Sequence, residues 1–133
     1  MAGRDQGVRW APEAAWQLDF KSSCLRNPFD VGLEDKAELL IGANEEMLKN
    51  QAVKRAQGYM SFKRVDRWYV NTEGSELHSD VISSDAGIWA VAVGNDDFQQ
   101  RNWQAPATNQ GFEVYSQAEF VGQAERIAAH AEE

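Results

Sequence analysis

The stretch 65–77, VDRWYVNTEGSEL, decides the fold. An aromatic and β-branched run, Trp68-Tyr69-Val70, stops at Asn71-Thr72-Glu73-Gly74, and a second run then alternates through Leu77, Val81 and Ser83. Bulky apolar side chains suit a pleated, half-buried surface. A glycine closing a short polar loop supplies the positive φ that a hairpin turn needs. The stretch reads as a β-hairpin.

Working outward, IWAVAV at 88–93 is apolar at every position, as in a strand covered on both faces. Ser83-Ser84-Asp85-Ala86-Gly87 and Gly94-Asn95-Asp96-Asp97 read as the turns on either side of it. Upstream, 53–62 alternates loosely through Ala56, Met60 and Phe62. The expected strands are therefore 53–62, 64–71, 75–84 and 88–93, with 98–103 as a fifth, edge-like one. Short connections between them imply antiparallel neighbours.

A helix is expected at each end of this strand series. Over 33–49 the apolar positions Leu33, Ala37, Leu40, Ile41, Met47 and Leu48 recur at three and four. Glu34 and Asp35 fall in the first turn and Lys49 in the last, as the helix dipole favours. The closing helix starts with Ser116 and Glu119 at capping-box spacing, flanked by Tyr115 and Phe120 as a hydrophobic staple. Phe120, Val121, Ala124, Ile127, Ala128 and Ala131 then share one face. Burying both helix stripes gives an α+β architecture, an antiparallel sheet of four to five strands with helices packed on it. Residues 29–133 form this single domain. Residues 1–28 read as an arm that lays Trp10 and Trp16 on its own domain or on a neighbour.

The chain has 133 residues, enough for one domain with a real core, and a net charge of −8. That charge argues against nucleic acid as a direct partner, because duplex binding needs a cationic surface to displace counterions. Lys49, Lys54, Arg55, Lys63, Arg64 and Arg67 form a locally basic region, read as a solvated face. No apolar run is long enough to span a membrane, and MAGRDQGVRWAPEAAW lacks the apolar core of an export signal. The single cysteine, Cys24, leaves no intramolecular disulfide and suits a cytoplasmic setting.

Catalytic patterns are scarce. His78 lies on an expected strand with Glu76 and Asp80 at two-residue spacing on the same face, a trio able in principle to hold a divalent ion but more commonly a solvated strand side. His130 falls in the last turn of the closing helix, where a cation is favourable. Cys24 carries no nucleophile signature. The carboxylate pairs Glu45/Glu46, Asp96/Asp97 and Glu132/Glu133 are what an acidic chain supplies anyway. No GxSxG elbow, GxGxxG or P-loop is present. No catalytic residue and no metal ligand is assigned. Trp68, Tyr69, Trp89 and Trp103 lie on neighbouring expected strands, and they read either as core or as a groove wall facing an extended peptide or a partner subunit.

Asn27-Pro28 followed by VGLEDKAELL at 31–40 resembles the helix that opens the middle region of the TldD/PmbA family. These are zinc metallopeptidases once described as modulators of DNA gyrase. A strand bearing YMSFK, the VNTEGSEL hairpin, an alternating strand and an apolar strand ending at Gly94 follow in the family's order. The closing helix with Ala124, Ala128 and Ala129 resembles the alanine-rich helix leading to the catalytic part. The resemblance covers 27–133, and its locally distinctive motif is the turn Asn71, Thr72, Glu73, Gly74.

The resemblance implies a central domain. In the TldD-type branch an HExxxH zinc motif follows this region and a later cysteine completes the ligand set. None of those positions has a counterpart here, so zinc is expected only in a full-length parent. It also implies a family partner subunit or a homodimer whose paired subunits enclose a cavity for unfolded peptides. The expected role is scaffold, assembly or peptide guiding, without catalysis by this chain alone. Two rival expectations stand beside it. One is a stand-alone α+β ligand binder or enzyme with a tryptophan-lined pocket and His78 or Asp80 as acid/base. The other is an interaction module docking through Trp10 and Trp16.

Overall fold

Two strands of eighteen residues each, β2 (Val53–Val70) and β3 (Glu76–Val93), form an antiparallel ribbon that is the spine of the molecule. The computed structural model describes residues 11–94 and 97–132, so Trp10, Asn95, Asp96 and Glu133 lie outside the described residues. The ribbon replaces four of the expected strands with two. Ser83–Gly87 is not a turn but the middle of β3. Polar and small residues there serve the sheet: the Ser84 hydroxyl donates to the Gln110 carbonyl at 2.8 Å, and Asp85 accepts from the Tyr59 hydroxyl at 2.9 Å. Gly87 makes room rather than a bend, since a Cβ on it would sit 2.7 Å from the Tyr59 ring and 3.1 Å from the Trp103 carbonyl.

The hairpin turn falls where expected. The Gly74 N–H donates to the Asn71 carbonyl at 3.3 Å, and Gly74 takes a φ of 93°, the left-handed conformation that suits glycine. The Asn71 Oδ1 accepts from the N–H groups of Glu73 and Ser75 at 3.1 and 2.8 Å, which pins the loop from inside.

Two short strands share the other side of β3. Strand β1 (Gln17–Lys21) runs parallel to its first half, pairing Gln17 with Glu76 and Lys21 with Asp80. Strand β4 (Phe98–Gln104) runs antiparallel to its second half, pairing Phe98 with Val93 and Gln104 with Gly87. Among the described residues the sheet thus has four strands, with β2 along one edge. Part of the expected arm is therefore a sheet strand, tied down by Trp16 N–H to the Ser75 hydroxyl (3.2 Å) and Ser22 N–H to the Asp80 carbonyl (3.0 Å).

Helices α1 (Leu33–Leu48) and α2 (Gln117–Glu132) pack together on one face of the sheet. In α1 the buried stripe is Leu39, Ala43 and Met47, while Leu33, Ile41 and Leu48 are exposed. Positions 39, 43 and 47 repeat at four, close to the helical period, so the stripe is rotated from the expected one. Helix α2 opens as its sequence predicts. The Glu119 N–H donates to the Ser116 hydroxyl at 3.3 Å, and the rings of Tyr115 and Phe120 meet edge-on at 6.0 Å. Phe120, Ala124, Ile127, Ala128 and Ala131 are buried against Ile88, Ala90 and Met47. The result is an α+β layer in helix–strands–helix order, with a parallel strand pair supplied by β1.

Residues 22–31 return to the body through a carboxylate. Glu113, in a single 3-10 turn (Phe112–Val114), accepts backbone N–H groups from Leu25, Arg26 and Gly111 at 3.2, 2.9 and 3.0 Å. Burial opposes its ionisation, but the N–H groups of Arg26, Gly111, Glu113 itself and Leu25 outweigh it, and the pKa falls to about 2. Burial and the neighbouring Glu113 push the Cys24 thiol up, away from nucleophile behaviour.

Candidate functional site

Alternation along β2 and β3 sorts every side chain to one of two faces. The register pairs Trp68 with His78, Asp66 with Asp80 and Arg64 with Ile82. These lie on the same face as Ser84, Ala86 and Ile88, which face the helices. Beyond Ile82, toward the turn, that face stops being apolar and becomes an ordered polar array.

Trp68 and His78 stack with ring centroids 4.1 Å apart and planes 13° from parallel. The His78 Nε2 is 2.8 Å from Asp66 Oδ1, and its Nδ1 is 3.2 Å from Asp19 Oδ1. An imidazolium satisfies both carboxylates at once, because both its nitrogens are donors. The bond to Asp66 raises the His78 pKa, desolvation works against it, and Asp19 adds to the rise. One row further on, Arg64 donates through Nε and Nη2 to the two oxygens of Asp80, both at 2.8 Å, with Lys21 Nζ at 4.0 Å. Asp80 is buried, and its pKa is lowered first by the Arg64 bonds. A shallow depression of about 360 Å³ lies beside the stack, lined by Gln17, Leu18, Asp19, Trp68, Glu76 and His78.

This array is a poor acid/base or metal centre. Glu76, His78 and Asp80 do share a face, but His78 is clasped between two carboxylates and Asp80 is saturated by Arg64. Among the described residues no group of three His, Cys, Asp or Glu side chains has metal-holding geometry.

The opposite face carries Leu18, Phe20, Tyr69 and Leu77 near the turn. Lys63, Val65 and Arg67 follow along β2, then Tyr59 and Trp89. Leu18, Phe20 and Tyr69 are 61, 49 and 50% exposed, since no described helix or strand covers them. Farther along, the Trp89 indole donates to Gln57 at 3.1 Å and Gln104 donates to the Tyr59 hydroxyl at 3.0 Å.

The four strand aromatics divide between these faces. Trp103 packs edge-on against Phe120 at 5.2 Å beneath α2, and Trp68 covers His78, both on the helix side. Tyr69 and Trp89 are on the open side. The four do not converge on one pocket, which removes the tryptophan-lined cavity of the ligand-binder reading. Of the turn motif, Asn71 and Gly74 spend their polar groups and φ on closing the hairpin, while Thr72 and Glu73 are exposed.

Sequence reasoning missed Asp19, Lys21, Leu18 and Phe20, although Gln17-Leu18-Asp19-Phe20-Lys21 alternates polar and apolar as a half-buried strand does. It also missed the pairing of Asp66 and Arg64 with β3, which counting outward from the Asn71–Gly74 turn supplies.

Among the described residues no helix is long and apolar enough to cross a membrane. A family model described as the PmbA/TldA metallopeptidase central domain matches residues 26–133. No curated protein matches the chain. The matched residues include both helices, the β2–β3 ribbon and β4, while β1 lies just before them. By that match, which takes in most of the chain, the protein belongs to the PmbA/TldD metallopeptidase family and carries its central domain.

Proposed function

We propose that this domain serves a metal-dependent peptidase as architecture, shaping the assembly and guiding unfolded peptide without breaking bonds itself. The single observation that carries the reading is the open sheet face, where Leu18, Phe20 and Tyr69 stand exposed behind the polar array, while the helices pack on the other face farther along the ribbon. Contiguous exposed apolar side chains mark surfaces that meet another chain or domain. Phe98 and Val93 extend the apolar character along the same face at the far end of the ribbon. In a full-length parent the metal and its chemistry come from outside these residues, and this face supplies contact.

The test uses a complete peptidase of this family carrying the domain. Replacing Phe20 and Tyr69 by lysine abolishes assembly and cleavage of an unfolded peptide, while the isolated variant domain melts as the parent domain does. Unchanged assembly and cleavage in that variant refute the reading. So does stoichiometric zinc with peptide cleavage by the present chain alone.

A further inference from the structure

Among the described residues strand β2 has a neighbour on one side only, and its last third runs past the helix-covered core. From Lys63 to Val70 every residue but Val65 is exposed. An uncovered edge presents a row of backbone N–H and C=O groups that another strand can pair with. The charges on this edge are one-sided. Lys63 and Arg67 lie on the open face two positions either side of Val65, with Tyr69 next in the row. Neither cation forms an ion pair among the described residues, in a chain of net charge −8. Arg64 and Asp66, on the other face, are spent on Asp80 and His78.

We infer that the outer edge of β2 over residues 63–69 receives an extended acidic peptide segment as an added strand. The segment's pattern follows from the pleat. Side chains on one face repeat every second residue, so acidic groups four apart fall opposite Lys63 and Arg67, and the apolar residue between them falls opposite Val65. The Tyr69 ring then meets the next apolar position. A second copy of this chain is the wrong occupant. Antiparallel pairing of two β2 edges about Val65 sets Lys63 against Arg67 twice, and like charges directly opposite destabilise a strand pair. The same cations that keep copies apart therefore select an acidic strand. This inference rests on the peptide-guiding part of the proposed function and specifies its partner.

The probe is a fluorescein-labelled peptide, Thr-Glu-Thr-Val-Thr-Glu-Thr-Val-Thr, titrated against the full chain by anisotropy. The expected result is saturable binding, with amide-exchange protection gained in β2. The version with lysine for glutamate fails to bind. The K63E/R67E variant binds the acidic peptide about tenfold more weakly, the scale of reversing two cross-strand charge pairs, and gains affinity for the lysine version. A peptide N-methylated at alternate residues loses binding, because strand pairing needs its N–H groups.

Equal affinity of the N-methylated peptide, or of K63E/R67E for the acidic one, overturns the inference. So do absence of binding and a peptide-free dimer formed through β2. The Phe20 and Tyr69 assembly variant keeps the two readings apart. Loss of assembly there with no peptide binding here removes only this inference, whereas intact assembly there with binding here removes only the contact role of the open face.

Discussion

The His78 ring lies flat on Trp68 while its Nε2 meets Asp66 Oδ1 at 2.8 Å. With Asp19 on the other nitrogen, one imidazole joins β1, β2 and β3 beside the hairpin turn. The charged form is favoured by the Asp66 bond above all, and Lys21, Arg64, Glu76 and Asp80 are the remaining charged groups on that side of the three strands.

A raised pKa fixes the sign of the pH effect. The stabilisation is fully present below the ordinary histidine value of 6.5 and is lost as pH rises through the folded pKa. His78 titrated by NMR therefore shows an apparent pKa above that value. Asp66→Asn lowers it more than Asp19→Asn, since Asp66 makes the shorter bond and the larger contribution. An H78Q variant loses the fall in melting temperature between pH 6 and pH 9 that this clasp causes.

Glu113 gives the opposite sign at the acid end. Its depressed pKa contributes stability that is present above about 4.5 and lost as pH falls toward about 2. The contribution is on the order of 1–2 kcal/mol once solvent screening is allowed for. Urea unfolding of E113Q compared with the parent at pH 6 and pH 2.5 checks it. The difference at pH 6 narrows markedly at pH 2.5 as the pH nears the folded pKa, and the first amides to exchange faster in E113Q are those of Leu25 and Arg26.

Glycine was legible where the chain turns and opaque where it packs. The loop Asn71–Gly74 was readable because its residue types have a local reason to be there. Gly87 carries the same letter for a nonlocal reason, the approach of Tyr59 and the β4 backbone, so the serines around it looked like a turn. Helix α2 was legible to its cap because staple, cap and stripe are all local. The α1 stripe was not, because what selects it lies across the layer: Leu39, Ala43 and Met47 are buried in one core with Ile88 and Ala90, residues far away in sequence. The polar array was hidden for a similar reason, as its members come from three strands and only register brings them together.

That contrast makes a paired prediction. Gly74→Ala forces an alanine into a φ of 93° and costs about 1 kcal/mol, with the fold retained. Gly87→Val drives a branched side chain into a space where even a Cβ would stand 2.7 Å from Tyr59 and 3.1 Å from backbone. Overpacking of that kind costs about 1–3 kcal/mol or more, and β4 must separate from β3 to relieve it. Amide exchange at Ala105, whose N–H donates to the Ala86 carbonyl at 2.9 Å, rises in Gly87→Val and stays unchanged in Gly74→Ala.

The last prediction concerns the hub under α2. Phe120 is wholly buried and meets Trp103 and Tyr115 edge-on, at 5.2 and 6.0 Å. Phe120→Ala removes both ring contacts and leaves a cavity that the sheet cannot close, because Ile88 and Ala90 are fixed in a strand paired on both sides. The expected loss is about 3–5 kcal/mol. Trp103→Phe keeps an aromatic ring against Phe120 and loses less than half as much. Both are read from urea midpoints at constant slope, with Trp103 fluorescence following the first variant. A loss in Phe120→Ala no larger than that of an exposed site such as Leu33→Ala means α2 does not dock through this ring, and the layered core as described is wrong.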